Sequence, residues 1–157
     1  MNIEIWSVGK SSDAFIEEGI RFYQKRLAPF CNVAYSLLPP PKRSVSMPVE
    51  QMKKAEEKII LNRLQPHHYL VLLDEKGQSL SSLQWAEQIG RIQTSNVKTL
   101  VFLIGGPWGV TEAIKEKARQ IWSLSALTFP HQLVRLIMAE QLYRSFSILN
   151  HSGYHHE

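Results

Sequence analysis

Apolar side chains fall along this chain in two alternating rhythms. Short runs at "IEIWSV" (3–8), "NVAYSLL" (32–38), "HYLVLLD" (68–74) and "TLVFLIG" (99–105) read as strands. Between them, residues 12–27, 48–64 and 81–93 carry helical spacing, and a further helix-like pattern follows the last run. Ser12, ahead of "DAFIEE", is a candidate N-cap whose acidic first turn suits the helix dipole, and Ser81 is a second. "VLLD" and "LVFLI" are almost continuously apolar, as strands covered on both faces of a parallel sheet must be. The order β-α-β-α-β-α-β-α predicts an α/β layered fold, read as one domain over 1–157.

The last quarter departs from this rhythm. "PHQLVRLIMAEQLYRSFSILN" (130–150) predicts a helix with Pro130 in its first turn. Leu133, Val134, Leu136, Ile137, Met138, Ala139, Leu142, Tyr143, Phe146, Ile148 and Leu149 make a stripe too wide for a surface helix with one buried side. Either this helix lies in the centre of the fold or it buries a second face against another chain. In so small a domain the second option, a homodimer, is favoured. Glu140 and Arg144 stand at i, i+4 in the favourable order. They make either an exposed helical pair or a polar couple facing a pocket.

At 157 residues the chain is long enough for a real core, and 44% hydrophobic with 20% charged residues is an ordinary globular composition. No apolar run approaches the roughly 20 residues of a membrane helix. "MNIEIWSVGK" carries an acid where a secretory signal wants basic residues, and Cys31 is the sole cysteine, so no internal disulfide forms. A cytoplasmic protein with no membrane partner is the expectation. The formal charge of +4 and a pI near 9.3 are compatible with nucleic acid without demonstrating it. The proline-rich loop "LLPPPKRSVSMP" (37–48) holds Lys42 and Arg43, either as solubilising charge or as RNA-backbone contacts.

In "LVFLIGGPWGVTEAIKEKA" (100–118) a strand ends in a glycine turn that opens a helix-like pattern. A P-loop would need Lys and Ser or Thr after its last glycine, and Gly105, Gly106 and Gly109 do not form G-x-G-x-x-G. The turn therefore either only links strand to helix or lets the backbone approach a ligand without phosphates, such as a nucleoside. "WSLSALTFPHQLVR" (122–135) is a loop rich in Ser and Thr and poor in charge, suited to presenting backbone groups to an adenine edge while Leu and Phe enclose the ring. The terminus "HSGYHHE" places His151, His155 and His156 at a spacing that matches no standard ligand set, so no metal is expected.

Together "FLIGGPWG", "SLSALTFPHQLVR", "EQLYR" and "YHHE", in this order and over the whole chain, resemble the bacterial ribosomal RNA large-subunit methyltransferase H family. These are SPOUT-class enzymes that methylate N3 of a pseudouridine in large-subunit ribosomal RNA. The resemblance implies a SPOUT-type parallel-sheet α/β fold with a C-terminal trefoil knot, a homodimer, and S-adenosyl-L-methionine as cofactor. A knot runs against the usual rule that chains do not thread loops. By motif, the cofactor positions are Leu73, Gly105, and Leu124, Ser125, Ala126, Leu127, Thr128 and Phe129. Tyr154 and His155 would complete the catalytic site across the dimer. Arg144 would hold the uracil anion or an RNA phosphate, with Glu140 orienting it and His155 as the candidate proton acceptor. His156 stands where Lys or Arg is expected, which weakens an RNA contact near neutral pH. An enzyme this small, with no added RNA-binding domain, is expected to need the assembled ribosome as substrate. The competing readings are a SPOUT enzyme for another RNA, a non-catalytic ribosome-binding or assembly factor, and a nicotinamide oxidoreductase. The last would want an acid roughly 20 residues after the turn, where "IWSLSAL" stands.

Overall fold

The computed structural model describes residues 1–10, 12–42 and 47–155; Ser11, residues 43–46, His156 and Glu157 lie outside the description. The sequence readings for Arg43 and His156 therefore fall outside the described residues. Ten elements follow one another: β1 (Asn2–Val8), α1 (Ala14–Leu27), β2 (Asn32–Leu38), α2 (Val49–Arg63), β3 (His68–Ser79), α3 (Ser82–Thr94), β4 (Thr99–Ile104), α4 (Glu112–Lys117), β5 (Gln120–Ser123) and α5 (His131–Leu149). The strands form one all-parallel sheet in the order β2-β1-β4-β3-β5.

β4 is central, and its pleat explains its unbroken apolar run. Leu100, Phe102 and Ile104 face a layer containing Ile89 of α3 and Met138, Leu142 and Phe146 of α5. Val101 and Leu103 face the opposite layer, with Ile60 of α2 and Ile114 of α4. Every residue of β4 is buried, so period-2 alternation separates two cores rather than core from water.

α5 lies between α1 and α3 and reaches β1 and β4 beneath. Its wide apolar stripe is thus largely consumed inside the chain. Met138, Leu142 and Phe146 join the main core, and Ala139, Leu133 and Leu136 meet Ile16 and Ile20 of α1. Ile137 and Ile148 are only half-buried and join none of these clusters among the described residues.

Ser81 caps α3 in a full capping box, accepting from the Gln84 amide while Gln84 accepts from the Ser81 amide. Ser12 does not cap α1: Asp13 holds the N-cap position, and the Ser12 hydroxyl donates to Glu17 instead. Pro130 likewise sits at the N-cap of α5, one residue before its first turn.

Two strand readings need correction. β3 does not stop at Asp74 but continues to Ser79 through an irregularity between Leu73 and Gln78, both of which pair with Trp122. The segment before "SLSAL" is not all loop, since Gln120–Ser123 form β5. With two polar and two apolar residues, β5 has too little pattern to stand out alone; pairing with β3 and full burial of Trp122 make it a strand. No helix among the described residues is long and apolar enough to cross a membrane.

Candidate functional site

The cleft is built where β3, β4 and β5 end. Open parallel sheets bind ligands at the carboxyl edge of their strands. Here a cavity of about 530 Å³, within the usual range for small-molecule sites, opens at that edge. Leu73 ends the regular part of β3, Gly105 follows β4, and Leu124, Ser125, Leu127, Thr128 and Phe129 come from the loop after β5; all seven line the cavity. Ala126, in the same loop, is exposed and does not line it. Ser125 shapes that loop, its hydroxyl accepting from the Leu127 amide at 3.0 Å and its carbonyl accepting from the Ser123 hydroxyl at 3.2 Å.

The glycine turn has a steric reason. A Cβ on Gly106 would lie 2.5 and 2.7 Å from the two carboxylate oxygens of Glu56, so any side chain there would have to displace the Glu56 carboxylate. Gly109 takes φ +75° and donates its amide to the Gly106 carbonyl at 3.0 Å, closing the turn in the left-handed region that glycine tolerates best. The neighbouring Glu57 accepts from Thr111, at the start of α4. This hydrogen bond holds the Glu57 carboxyl below the ordinary range, with Lys54 and Lys58 adding to it.

Sequence reasoning missed several lining groups. Asp74, Glu75 and Lys76 reach the cleft because the irregularity in β3 pushes them out of the ladder. Lys53, Trp108, Lys115, His131 and Val134 are also part of the wall. The charged run "DEK" directly after an apolar strand was the available signal for the first three. Burial, and then the nearby Arg135 cation, lower the pKa of His131, so its ring is neutral at pH 7.

Glu56 is 6% exposed, and burial raises its carboxyl above the ordinary value. Folding thus favours its protonated form, and the stability associated with this group falls as pH rises through the folded pKa. Glu56→Gln is expected to melt above wild type at pH 7 and level with it near pH 4, as measured by calorimetry. A lower melting point at pH 7 would show that the ionised carboxylate is instead a stabilising acceptor.

The four residues named for catalysis also come together, but elsewhere. Arg144 donates from Nε (2.9 Å) and Nη2 (2.6 Å) to one Glu140 oxygen, Oε1. The Tyr154 hydroxyl donates to the same oxygen at 3.3 Å, and the Arg144 guanidinium lies 4.9 Å from the centre of the Tyr154 ring. Arg144 Nη1 is 3.3 Å from His155 Nδ1. A guanidinium only donates, so this contact makes Nδ1 the acceptor and leaves the proton of a neutral ring on Nε2. Desolvation first, then its Tyr23 and Glu140 neighbours, push the Tyr154 phenol up to about 12, which makes it a donor rather than a base at neutral pH.

The cluster and the cleft are separated within the chain. The first turns of α5 line the cleft through His131 and Val134. Arg144 lies about 15 Å further along the axis at roughly 1.5 Å per residue. Phe146 stacks on Phe30, which precedes β2, so the tail cluster sits by the amino ends of the strands.

Comparison with known proteins agrees with this architecture. Residues 1–155 match the family model described as "Predicted SPOUT methyltransferase". The chain is 40% identical over 156 residues to ribosomal RNA large subunit methyltransferase H of Cytophaga hutchinsonii, covering 99% of this chain and 100% of that protein. It is 41% identical over 157 residues to the protein of the same name from Flavobacterium johnsoniae, with both chains fully covered. A probable methylase family protein from Haemophilus influenzae shares the fold, with a TM-score of 0.56 at 12% identity, over 99% of this chain and 71% of that one. With a family model over residues 1–155, full-length relatives and a parallel sheet in agreement, the chain belongs to the SPOUT methyltransferases, in the ribosomal RNA large subunit methyltransferase H family.

Proposed function

We propose that this protein transfers a methyl group from S-adenosyl-L-methionine to N3 of a pseudouridine in large-subunit ribosomal RNA, acting as a homodimer on the assembled ribosome. The observation that carries the reading is the composition of the cleft. Leu73, Leu124, Leu127 and Phe129 supply apolar walls, the glycine turn supplies close backbone, and Lys53, Asp74, Glu75, Lys76 and Lys115 supply charges of both signs. That set fits a ligand with an adenosine end and a zwitterionic amino-acid end, and it lacks the glycine-lysine phosphate cradle a nucleotide would want. Leu73, Gly105 and the 124–129 loop would hold the adenosine. Bound there, the cofactor would supply an electrophilic methyl on a sulfonium, whose sulfur would keep the bonding pair when the methyl passes to N3.

The chain's own work is to take the N3 proton and steady the resulting negative charge. Arg144 is the charge-steadying group, Glu140 orients it, Tyr154 donates, and His155 accepts the proton. In the arrangement described, Arg144 engages Nδ1 of His155, so it must let go before that nitrogen can accept a proton. Movement of the tail into a second subunit's cleft would release it. An isologous contact through the outward face of α5 with the two helices antiparallel sets the end of one helix beside the start of the other. Half-buried Ile137 and Ile148 flank Glu140 and Arg144 on that helix and supply an apolar seam. The C-terminal trefoil knot and a single domain spanning the chain belong to the same proposal.

The deciding experiment is transfer from radiolabelled S-adenosylmethionine to large-subunit RNA, free and in ribosomes from cells lacking the enzyme, followed by mass mapping. One labelled pseudouridine, seen in ribosomes and not in naked RNA, is the expected result. Cofactor binding without label moves the substrate to another RNA. No cofactor binding leaves an assembly factor. His155→Ala is expected to lower the transfer rate about 100-fold, within the range of general-base contributions, with cofactor affinity unchanged. Near-normal turnover would remove His155 from its role.

A further inference from the structure

A second cavity, of about 460 Å³, opens at the carboxyl end of β1, the strand beside β4. Ser7, Gly9, Asp13, His131, Gln132 and Arg135 are among its lining residues. His131 lines both this cavity and the cofactor cleft, so the two are neighbours sharing one wall. The mechanism above uses none of these groups, yet two of them are buried polar side chains: Ser7 at 1% exposure and Arg135 at 6%. Nδ1 of His131 is buried without a hydrogen-bond partner among the described residues.

The charge balance selects the kind of molecule. Arg135 faces Glu17 at 3.9 Å, and Asp13 is on the rim. Asp13 is held there by a reciprocal clasp: its carboxylate accepts from the Gln132 side chain at 2.9 Å, and its amide donates to that side chain at 3.0 Å. A phosphate entering the cavity would meet carboxylates as well as the guanidinium. A neutral ring with alternating carbonyl and N–H groups suits a wall that offers a guanidinium, a hydroxyl and a neutral imidazole.

We propose that this cavity receives the acceptor base itself, a pyrimidine of the uracil type turned out of its RNA helix, with Arg135, Ser7 and His131 donating to the carbonyl oxygens that flank N3 so that N3 stays open toward the cleft. The proposal rests on the methyl-transfer reading and adds where the acceptor sits. Chemistry on a base requires taking it out of the stack. A pocket sharing a wall with the cofactor cleft brings acceptor and donor together without using the same space. Arg135, Ser7 and His131 position the base, and proton removal stays with the tail.

Gly9 provides a clean test. A Cβ built there meets nothing within 4 Å and its φ is not in the left-handed region, so a side chain would project into open space without strain. Gly9→Leu should therefore fold, occupy part of the cavity and leave the cofactor cleft, which Gly9 does not line, untouched. The full-length variant is compared with wild type for cofactor affinity by calorimetry and for kcat/KM with large-subunit ribosomes. The expected result is affinity within twofold of wild type and kcat/KM reduced at least tenfold, with Gly9→Ala close to wild type. Normal kcat/KM in Gly9→Leu would overturn the proposal, and so would parallel loss of cofactor affinity. If Gly9→Leu does not fold, Gly9→Val decides on the same criteria. A wild-type protein that methylates no ribosome would show, in the control arm, that the parent reading had failed.

Discussion

Arg144→Ala is expected to lower the rate of methyl transfer roughly a thousandfold, near the upper end for removing one preorganised charge-stabilising donor, while the protein stays folded and binds cofactor normally. Arg144 is the hub of the tail cluster: it donates twice to Glu140, contacts His155 and lies over the Tyr154 ring. Its loss unties all three partners together. The hydrogen bond to Glu140, and then the Glu140 charge, raise its pKa further, so it carries its charge at every working pH. Little stability should be lost, because a partly exposed i, i+4 pair contributes only about 0.3–0.5 kcal/mol. Arg144→Lys keeps the charge but loses the planar fork that makes two bonds at once, so an intermediate rate is expected. Single-turnover transfer with saturating cofactor, run beside cofactor calorimetry, separates the outcomes. A rate within tenfold of wild type for Arg144→Ala would remove the cluster from the chemistry.

Phe102→Ala is expected to cost about 3–5 kcal/mol of folding stability, the usual loss for deleting a buried aromatic side chain. Phe102 is fully buried in the central strand β4. Its ring stacks on Trp85 at 6.0 Å and 11° and meets Trp122 at 5.6 Å. The deletion removes one member of an aromatic trio that joins α3, β4 and the edge strand β5. For a domain with a typical net stability of about 5–15 kcal/mol, that is a large share. Trp122 precedes the loop that lines the cleft, so cofactor affinity should weaken as β5 loosens. Urea unfolding monitored by circular dichroism gives the first number and calorimetry the second. Phe22→Ala, at a position half exposed to solvent, should cost much less. A loss below 1 kcal/mol for Phe102→Ala would mean the core repacks around the gap.

Elements with dense local signals were legible before the structure. β2 and the body of each long helix follow from apolar spacing, and Ser81 with Gln84 spells a helix start in four residues. β5 and the far half of β3 were not legible, because their order comes from pairing with each other rather than from either one's own pattern. The cleft shows the same division. Leu73, Gly105 and most of 124–129 were named from motifs. Asp74, Glu75 and Lys76 were missed because an irregularity in a strand brings them to the wall.

The residues by themselves determined the layered α/β plan and the glycine turn, while the grouping of Arg144, Glu140, Tyr154 and His155 was an implication of the family resemblance. The first two features are local, carried by apolar spacing and by glycines at the end of one strand. The tertiary structure decided what lies between α1 and α3, and that the cleft and the tail cluster occupy opposite ends of the strands. It also decided that the end of β1 opens a second cavity beside the first. Such facts depend on strand order, and strand order is set by contacts between residues far apart in the chain, whose sum no single stretch of sequence records.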